Sequence, residues 1–224
     1  MSEASPQLSH ANAPVYQAGA ALDDADLFVI MLHGRGATGE NILGLAGEIV
    51  PNEEALSRIA WLAPQAAGGS WYPYPFLSPL AQNEPWLGGA LAAIDRLVDH
   101  VRSDAPDRAV VIVGFSQGAC LALEYLARGS RPVSGVAAFS GGLIGPSLAD
   151  RQPIGDLTGS WVFIGCGDKD GHIPIEVAEQ SGRLVADAGA AVDFRRYEGM
   201  GHTIVEDETA AVRARIGQSL AGIG

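Results

Sequence analysis

The chain has 224 residues, a formal net charge of −12, two cysteines and a hydrophobic fraction of 47%. The negative charge argues against nucleic acid or an anionic membrane surface as a partner, because binding to either relies on attraction to positive side chains. Two cysteines are too few for a disulfide framework, and we expect Cys120 and Cys166 to be buried, reduced thiols. The polar N-terminus does not resemble a secretory signal, and no apolar run reaches membrane-spanning length. We therefore expect a cytoplasmic protein without stable membrane insertion.

The first half of the chain alternates between apolar strands and helices after a polar tail. Residues 27–32 are apolar without alternation, which is typical of a strand covered on both faces in a parallel sheet. We predict that a strand at 15–21 pairs with it through a turn at Asp23-Asp24. In chain order the predicted segments are a flexible tail at 1–12, strands at 15–21 and 27–32, a helix at 40–50, a strand at 59–63, a loop at 64–85 and a helix at 85–102.

The second half continues the alternation. In chain order the predicted segments are a strand from 110, a helix ending near 129, strands at 133–140 and 161–164, a helix at 175–188, a strand at 192–197 and a terminal helix. This order predicts one domain over residues 1–224 with an α/β fold, in which a mostly parallel sheet has helices on both faces. The active site of such a sheet lies at the carboxyl ends of its strands.

A candidate nucleophile lies where the strand from 110 meets its helix. The strand runs into Gly114-Phe115-Ser116-Gln117-Gly118, which fits the G-x-S-x-G nucleophile elbow. The pentapeptide alone is a weak signal in a chain with 29 glycines. The apolar strand before it and the helix after it supply the context that the motif requires, so we take Ser116 as the nucleophile.

The serine needs a base, and the chain order of an α/β-hydrolase is serine, acid, histidine. Only His172 and His202 follow Ser116. His172 lies too close to Asp170 for a separate loop to supply the acid, whereas His202 follows the last strand in a glycine-flanked loop. We therefore predict His202 as the base.

The acid is expected in the loop at 165–174, which contains Asp168 and Asp170. We favour Asp170 because it stands four residues before Pro174, which resembles the Asp-x-x-Val-Pro pattern of many α/β-hydrolases. Asp168 stays open as the alternative acid, its other role being that of a turn residue that caps its own backbone. The acid would fix the imidazole tautomer and stabilise the imidazolium.

The oxyanion of the reaction needs two hydrogen-bond donors. One is expected to be the backbone N–H of Gln117, directly after the nucleophile. The other should come from the loop after the strand at 27–32, where we choose the N–H of Arg35. We expect the Arg35 side chain to be secondary and to favour anionic substrates, because a guanidinium beside the cleft attracts a carboxylate or phosphate.

With these residues in place, the chain resembles the phospholipase/carboxylesterase family of small α/β-hydrolases over about residues 26–220. Four motifs carry the resemblance: Leu32–Gly39, Gly114–Gly118, Gly167–Asp170 with Pro174, and Tyr197–His202. It implies Ser116, Asp170 and His202 as the triad, Arg35 and Gln117 as oxyanion donors, and an α/β-hydrolase fold. The family commonly has Leu where Arg35 stands, and its Ser-Trp-Phe-Asp stretch is replaced here by residues 70–74.

The main hypothesis is a serine carboxylesterase that acts on a small-molecule carboxylic ester, thioester or lysophospholipid and needs no metal or organic cofactor. A non-catalytic α/β-hydrolase scaffold that binds a small ligand is the alternative, and a second copy of the chain is a candidate partner. The loop at 64–85 should overhang Ser116, with Trp71 and Phe76 touching the acyl group and favouring short and medium chains. The alternative for this loop is a packed Ω-loop that only covers the core.

Overall fold

The computed structural model describes residues 10–103, 107–128, 131–149, 151 and 154–222. Most of the tail expected at 1–12 therefore lies outside the described residues. His10 contradicts the expectation of a flexible tail, since it is only 5% exposed and packs into the structure.

Seven strands form one sheet in the order β1-β3-β2-β4-β5-β6-β7. Every neighbouring pair is parallel except β1 and β3. The strands are β1 (Val15–Gly19), β2 (Leu27–Leu32), β3 (Ile59–Pro64), β4 (Ala109–Phe115), β5 (Gly135–Phe139), β6 (Trp161–Gly167) and β7 (Ala191–Tyr197). The predicted mostly parallel α/β sheet is confirmed.

The partner predicted for β1 is wrong. β1 pairs antiparallel with β3, with Val15 opposite Pro64 and Gly19 opposite Ala60. β2 has no free edge for β1, because it pairs with β3 on one side and with β4 on the other. The turn at Asp23-Asp24 therefore leads from the edge of the sheet to its interior.

The core lies on both faces of the sheet, as the unbroken apolar run of β2 predicted. Phe28, Ile30 and Leu32 belong to the apolar cluster on one face. Leu27 and its alternate neighbours belong to the cluster on the other face. Successive side chains of a strand point to opposite faces, so a strand buried on both sides must be apolar throughout.

Helices cover both faces. α5, α6 and α7 contribute to the first cluster, while α1, α2, α3 and α8 contribute to the second. The helices are α1 (Gly39–Leu43), α2 (Ala46–Ile49), α3 (Glu53–Leu56), α4 (Leu80–Asn83), α5 (Trp86–Val101), α6 (Gln117–Arg128), α7 (Ile175–Asp187) and α8 (Glu206–Ala221), with a 3₁₀ turn at Ala67–Gly69. In the described part of the chain, no helix has both the length and the apolar composition needed to cross a bilayer.

Two helical predictions differ from the structure. The single helix expected at 40–50 is divided into α1 and α2 at Gly44, which ends the first of them. Glycine disfavours the interior of a helix, since it has more backbone freedom to lose. The loop expected at 64–85 contains a 3₁₀ turn and α4. These elements have three and four residues, which is too short for a helical pattern of apolar residues to be recognised in the sequence.

Candidate active site

The carboxyl ends of the parallel strands bring the predicted residues to one edge of the sheet. Arg35 follows β2, Ser116 follows β4, Asp170 follows β6 and His202 follows β7. The segment after β3 reaches the same edge. One cavity of about 710 Å³ is lined by Arg35, Ser116 and His202 together with residues of this segment.

Ser116 lies on a sharp turn between β4 and α6, with a φ angle of 56°. A positive φ strains a residue that carries a Cβ, and such strain is typical of functional turns. The turn is fixed by a 3.0 Å hydrogen bond from the Ser116 N–H to Phe139 O. A Cβ on Gly114 would collide with the backbone of Gly118, and one on Gly118 would collide with Leu32 O. The two glycines are therefore required by the close approach of the backbone on both sides of the serine.

His202 and Asp170 form a partly buried hydrogen-bonded pair. Nδ1 of His202 donates to Oδ2 of Asp170 at 2.7 Å, and the Asp170 side chain is fully buried. Its other oxygen accepts the backbone N–H groups of His172 at 2.8 Å and Ile173 at 3.0 Å. Burial opposes ionisation of Asp170, but these hydrogen bonds outweigh it and hold the pKa of this carboxyl below its usual value.

Asp168, the alternative acid, points elsewhere. Its Oδ1 accepts the backbone N–H of Gly199 at 2.8 Å, and its Oδ2 is 3.4 Å from Nη2 of Arg196. The hydrogen bond from Gly199 is the main cause of the lowered pKa of Asp168. Asp168 therefore ties the loop before His202 to β6, while Asp170 is the carboxylate in contact with the imidazole.

The His202 ring also contacts two other rings. The Phe115 ring centroid is 4.9 Å from that of His202, and the His172 ring centroid is 4.7 Å from it. Because Nδ1 faces Asp170, Nε2 is the nitrogen left for chemistry in the cavity.

Two backbone donors lie beside the serine. Among the described residues, the N–H groups of Arg35 and Gln117 donate to no backbone carbonyl, whereas the next N–H along the chain from Arg35, that of Gly36, donates to Gly69 O at 2.7 Å. Both residues line the cavity. These N–H groups are therefore unengaged at the place where the sequence predicted oxyanion donors.

His33, to which the sequence analysis assigned no role, supports the loop that carries Arg35. It is fully buried, its Nε2 accepts the N–H of Ala66 at 3.0 Å, and its Nδ1 is 2.8 Å from Gly34 O. This pattern requires a neutral ring with the proton on Nδ1, and burial lowers the pKa of His33 accordingly. The sequence shows His33 at the end of a strand, but its partner lies 33 residues away.

The predicted pocket residues divide into one that lines the cavity and one that does not. Phe76 lines it, as expected. Trp71 does not: it is 0% exposed, its Nε1 donates to His33 O at 2.9 Å, and its ring contacts those of His10 and His33. Trp71 contradicts the expectation because an indole with an available buried acceptor is stabilised in the core.

The cavity is also lined by apolar side chains for which the sequence predicted no role in substrate binding. They are Ala37, Tyr72, Pro73, Pro75, Leu77, Phe115, Cys120 and Ile173. Both cysteines are free and buried, as predicted. Burial raises the pKa of the Cys120 thiol to about 12, so the thiol stays protonated and is a poor nucleophile. Among the described residues, no group of three His, Cys, Asp or Glu side chains could hold a metal ion.

A mostly parallel sheet with a serine on a strand-to-helix turn and a carboxylate–histidine pair on later loops defines an α/β-hydrolase. The sequence model of the phospholipase/carboxylesterase family matches residues 19–220, and the chain belongs to this family. It is therefore an enzyme of the carboxylesterase and thioesterase type, as the resemblance in the sequence indicated.

Individual relatives agree with this assignment. Acyl-protein thioesterase 1 of Saccharomyces cerevisiae is 26% identical over 220 residues, covering 90% of this chain and 96% of the relative. A probable carboxylesterase of Oryza sativa subsp. japonica is 25% identical over 84% of this chain and 76% of its own length. The crystal structure of a phospholipase/carboxylesterase from Dyadobacter fermentans has a TM-score of 0.82 and 37% identity, covering 92% of this chain and 96% of that one.

Proposed function

We propose that the protein is a serine carboxylesterase in which Ser116, His202 and Asp170 form the catalytic triad. The observation that carries the proposal is the 2.7 Å contact between His202 and Asp170, because His202 lines the same cavity as the strained Ser116. The unengaged N–H groups of Arg35 and Gln117 support a role as the oxyanion donors.

The reaction follows from these positions. Oγ of Ser116 attacks the carbonyl carbon of the ester while Nε2 of His202 takes the hydroxyl proton, and the oxyanion accepts the N–H groups of Arg35 and Gln117. The intermediate collapses as its bond to the leaving alcohol breaks, and His202 returns the proton to the alcohol. Water then loses a proton to His202 and attacks the carbonyl carbon of the acyl-enzyme. The bond between that carbon and Oγ of Ser116 breaks, and His202 returns the proton to Oγ, which releases the acid and restores Ser116. Asp170 stays ionised and stabilises the imidazolium.

The substrate is an ester with an uncharged acyl group of short or medium length. Phe76, Leu77 and Ile173 give the cavity apolar walls, which suit an acyl chain. A thioester or a lysophospholipid is the alternative substrate, and the yeast relative is named a thioesterase. A panel of aryl esters of increasing acyl length, with thioester and lysophospholipid counterparts, separates these substrates.

The triad is tested by a fluorophosphonate probe together with single substitutions. The probe should label the wild-type protein and not Ser116→Ala, and Ser116→Ala and His202→Ala should each lower kcat by roughly three orders of magnitude or more, since the triad acts as a unit. Circular dichroism and Tm serve as controls for folding. If the wild-type protein is not labelled, the proposed esterase is wrong and the alternative of a non-catalytic scaffold that binds a small ligand would take its place.

The choice of acid is tested by a matched pair. Asp170→Asn should lower kcat at least a hundredfold or so, because it removes the charge that stabilises the imidazolium. Asp168→Asn, two residues away, should cost less than about tenfold, because it weakens only the tie to Gly199 and Arg196. A larger loss in Asp168→Asn would reverse the assignment.

A further inference from the structure

The Arg35 side chain is bound to the polypeptide segment that forms one wall of the cavity. Nη1 donates to Ser70 Oγ at 2.8 Å and to Pro73 O at 3.0 Å. Nη2 donates to Tyr72 O at 2.9 Å and to Tyr74 O at 3.1 Å. Four of the five N–H groups of a guanidinium are thus used within residues 70–74. We call residues 70–74 the wall segment, because Tyr72 and Pro73 of this segment line the cavity.

The side chain of Gln117 is bound to the same segment. Its Nε2 donates to Tyr72 O at 2.8 Å and to Ser70 Oγ at 3.2 Å, and its Oε1 accepts the N–H of Trp71 at 3.1 Å. Tyr72 O also accepts the Ser70 hydroxyl at 2.8 Å. The two residues proposed to supply the backbone oxyanion donors therefore hold the wall segment with their side chains.

These contacts show that the Arg35 guanidinium binds the wall segment. The sequence suggested that the charge would attract anionic esters. In the structure its forked N–H groups already face backbone carbonyls and a hydroxyl, so they are not available as a bidentate site for a carboxylate. Arg35 forms no ion pair with a carboxylate of the described residues.

We propose that Arg35 is a positioning residue that couples the acyl wall to the oxyanion hole: its side chain, with that of Gln117, fixes residues 70–74 relative to the N–H donors of Arg35 and Gln117. This inference rests on the proposed esterase function and adds the device that keeps its pocket preformed. The wall segment and the two N–H donors then belong to one hydrogen-bonded unit. An acyl group that packs against Tyr72 and Pro73 therefore has its carbonyl oxygen placed at the donors. Misplacement of a reacting group by about 1 Å is enough to slow an enzyme a hundredfold.

The first test replaces the guanidinium. Arg35→Leu should lower kcat about tenfold or more on neutral esters and by the same factor on matched esters with an anionic acyl group, since the clamp acts on the wall and not on substrate charge. The dependence of kcat/KM on acyl length should also flatten, because the wall no longer has one position. Arg35→Lys keeps the charge and some donors, so it should recover part of kcat.

A matched control separates the clamp from a general loss of stability. Arg102 also donates to backbone carbonyls, those of Arg108 at 3.1 Å and Pro132 at 2.8 Å, and it does not line the cavity. Arg102→Leu should leave kcat and the acyl-length profile unchanged. If Arg35→Leu does not fold, Ser70→Ala provides a second test, because it removes the hydroxyl that both side chains bind. Ser70→Ala should also lower kcat and flatten the dependence of kcat/KM on acyl length, but less than Arg35→Leu.

A double substitution tests whether the two side chains act together. Gln117→Ala keeps the backbone N–H and removes only the side-chain contacts with the wall segment. Arg35→Leu and Gln117→Ala combined should lose less kcat than the product of their single losses, because either change already frees part of the same segment. Multiplicative losses would contradict a shared clamp.

The outcomes distinguish this inference from the proposed function. If the fluorophosphonate probe labels the wild type but Arg35→Leu keeps its kcat and acyl-length profile, the clamp is wrong and the esterase stands. A loss confined to anionic esters would mean that Arg35 binds substrate charge, which also overturns the clamp. An equal loss in Arg102→Leu would reduce the effect to general destabilisation. Absence of labelling in the wild type would instead overturn the esterase itself.

Discussion

Three residues at or beside the cavity have their positions supported by neighbouring groups. Asp170 accepts two backbone N–H groups, His202 contacts two rings, and the carbonyl of Phe76 accepts the N–H of Gly145 at 2.8 Å. Phe76 is 8% exposed. Its ring lines the cavity, and we propose that it bounds the acyl site and determines the acyl length.

Phe76→Ala should move the optimum of kcat/KM toward longer acyl chains, because the lost ring leaves space that two or more methylene groups can fill. Trp71→Ala is the matched control. It should lower the free energy of unfolding by roughly 3–5 kcal/mol, as expected for a buried large aromatic residue, without extending the cavity that the indole does not line. Activity across the ester panel and urea unfolding measure the two effects. An unchanged acyl profile in Phe76→Ala would place the end of the acyl pocket elsewhere.

The loop between β3 and α5 is an element that depends on residues far along the chain. His10 reaches it from the N-terminal side: its Nδ1 accepts the N–H of Ala67 at 3.2 Å, and its Nε2 lies 3.2 Å from Trp71 O. Burial is the largest cause of the lowered pKa of His10, since charging this ring would cost solvation. His10 and His33 thus hold Trp71 and Ala66–Ala67 as neutral imidazoles.

His10→Ala should lower the free energy of unfolding at pH 8 by on the order of 1–2 kcal/mol, through the loss of two hydrogen bonds and of the ring contact. Because the folded-state pKa of His10 lies below the unfolded value of 6.5, its contribution is fully present above that pH and is lost as the pH falls through the folded-state pKa. The difference in the free energy of unfolding between wild type and His10→Ala should therefore become smaller at acidic pH. Urea titrations at several pH values measure it, with the exposed His100→Ala as the control.

At the scale of the whole molecule, α8 packs against the sheet with a buried carboxyl. Glu208 is 0% exposed, and its Oε2 accepts the N–H of Val205 at 2.9 Å. Oε1 has no partner among the described residues, and it lies where a Cβ on Gly165 of β6 would be. Burial raises the pKa of Glu208 to about 7, so the folded protein favours its protonated form.

Stability should therefore depend on pH through Glu208 in the sense opposite to His10. A raised folded-state pKa gives a contribution that is present below the unfolded value of 4.5 and is lost as the pH rises through about 7. Glu208→Gln keeps the cap on Val205 and cannot ionise. It should be more stable than the wild type at pH 8, by up to about 3 kcal/mol, and should lose that advantage near pH 4. Equal pH profiles for the two proteins would mean that Glu208 does not titrate in this range.

Local patterns in the sequence were enough to predict much of the molecule. The bounds of β2 followed from an unbroken apolar run, which is typical of a strand buried on both faces. The order of strands and helices followed from apolar patterns, because the spacing of the buried face is set by the geometry of each element. The elbow at Ser116 could be found because strand, glycine spacing and helix are contiguous. His202 followed from chain order, and Asp170 was favoured over Asp168 in the same loop by its resemblance to the Asp-x-x-Val-Pro pattern. The structure brings the side chains of His202 and Asp170 together.

Features that depend on distant contacts were decided only by the tertiary structure. The partner of β1 depends on which edge of the sheet stays free after β2 has paired on both sides. The burial of Trp71 depends on His33 and His10, 38 and 61 residues away, and the direction of the Arg35 side chain depends on carbonyls 37–39 residues away. By itself the sequence determined which residue types stand at the ends of the strands. The tertiary structure decided which donor meets which acceptor, because the free energy of a buried polar group depends on a partner that its neighbours in sequence do not supply.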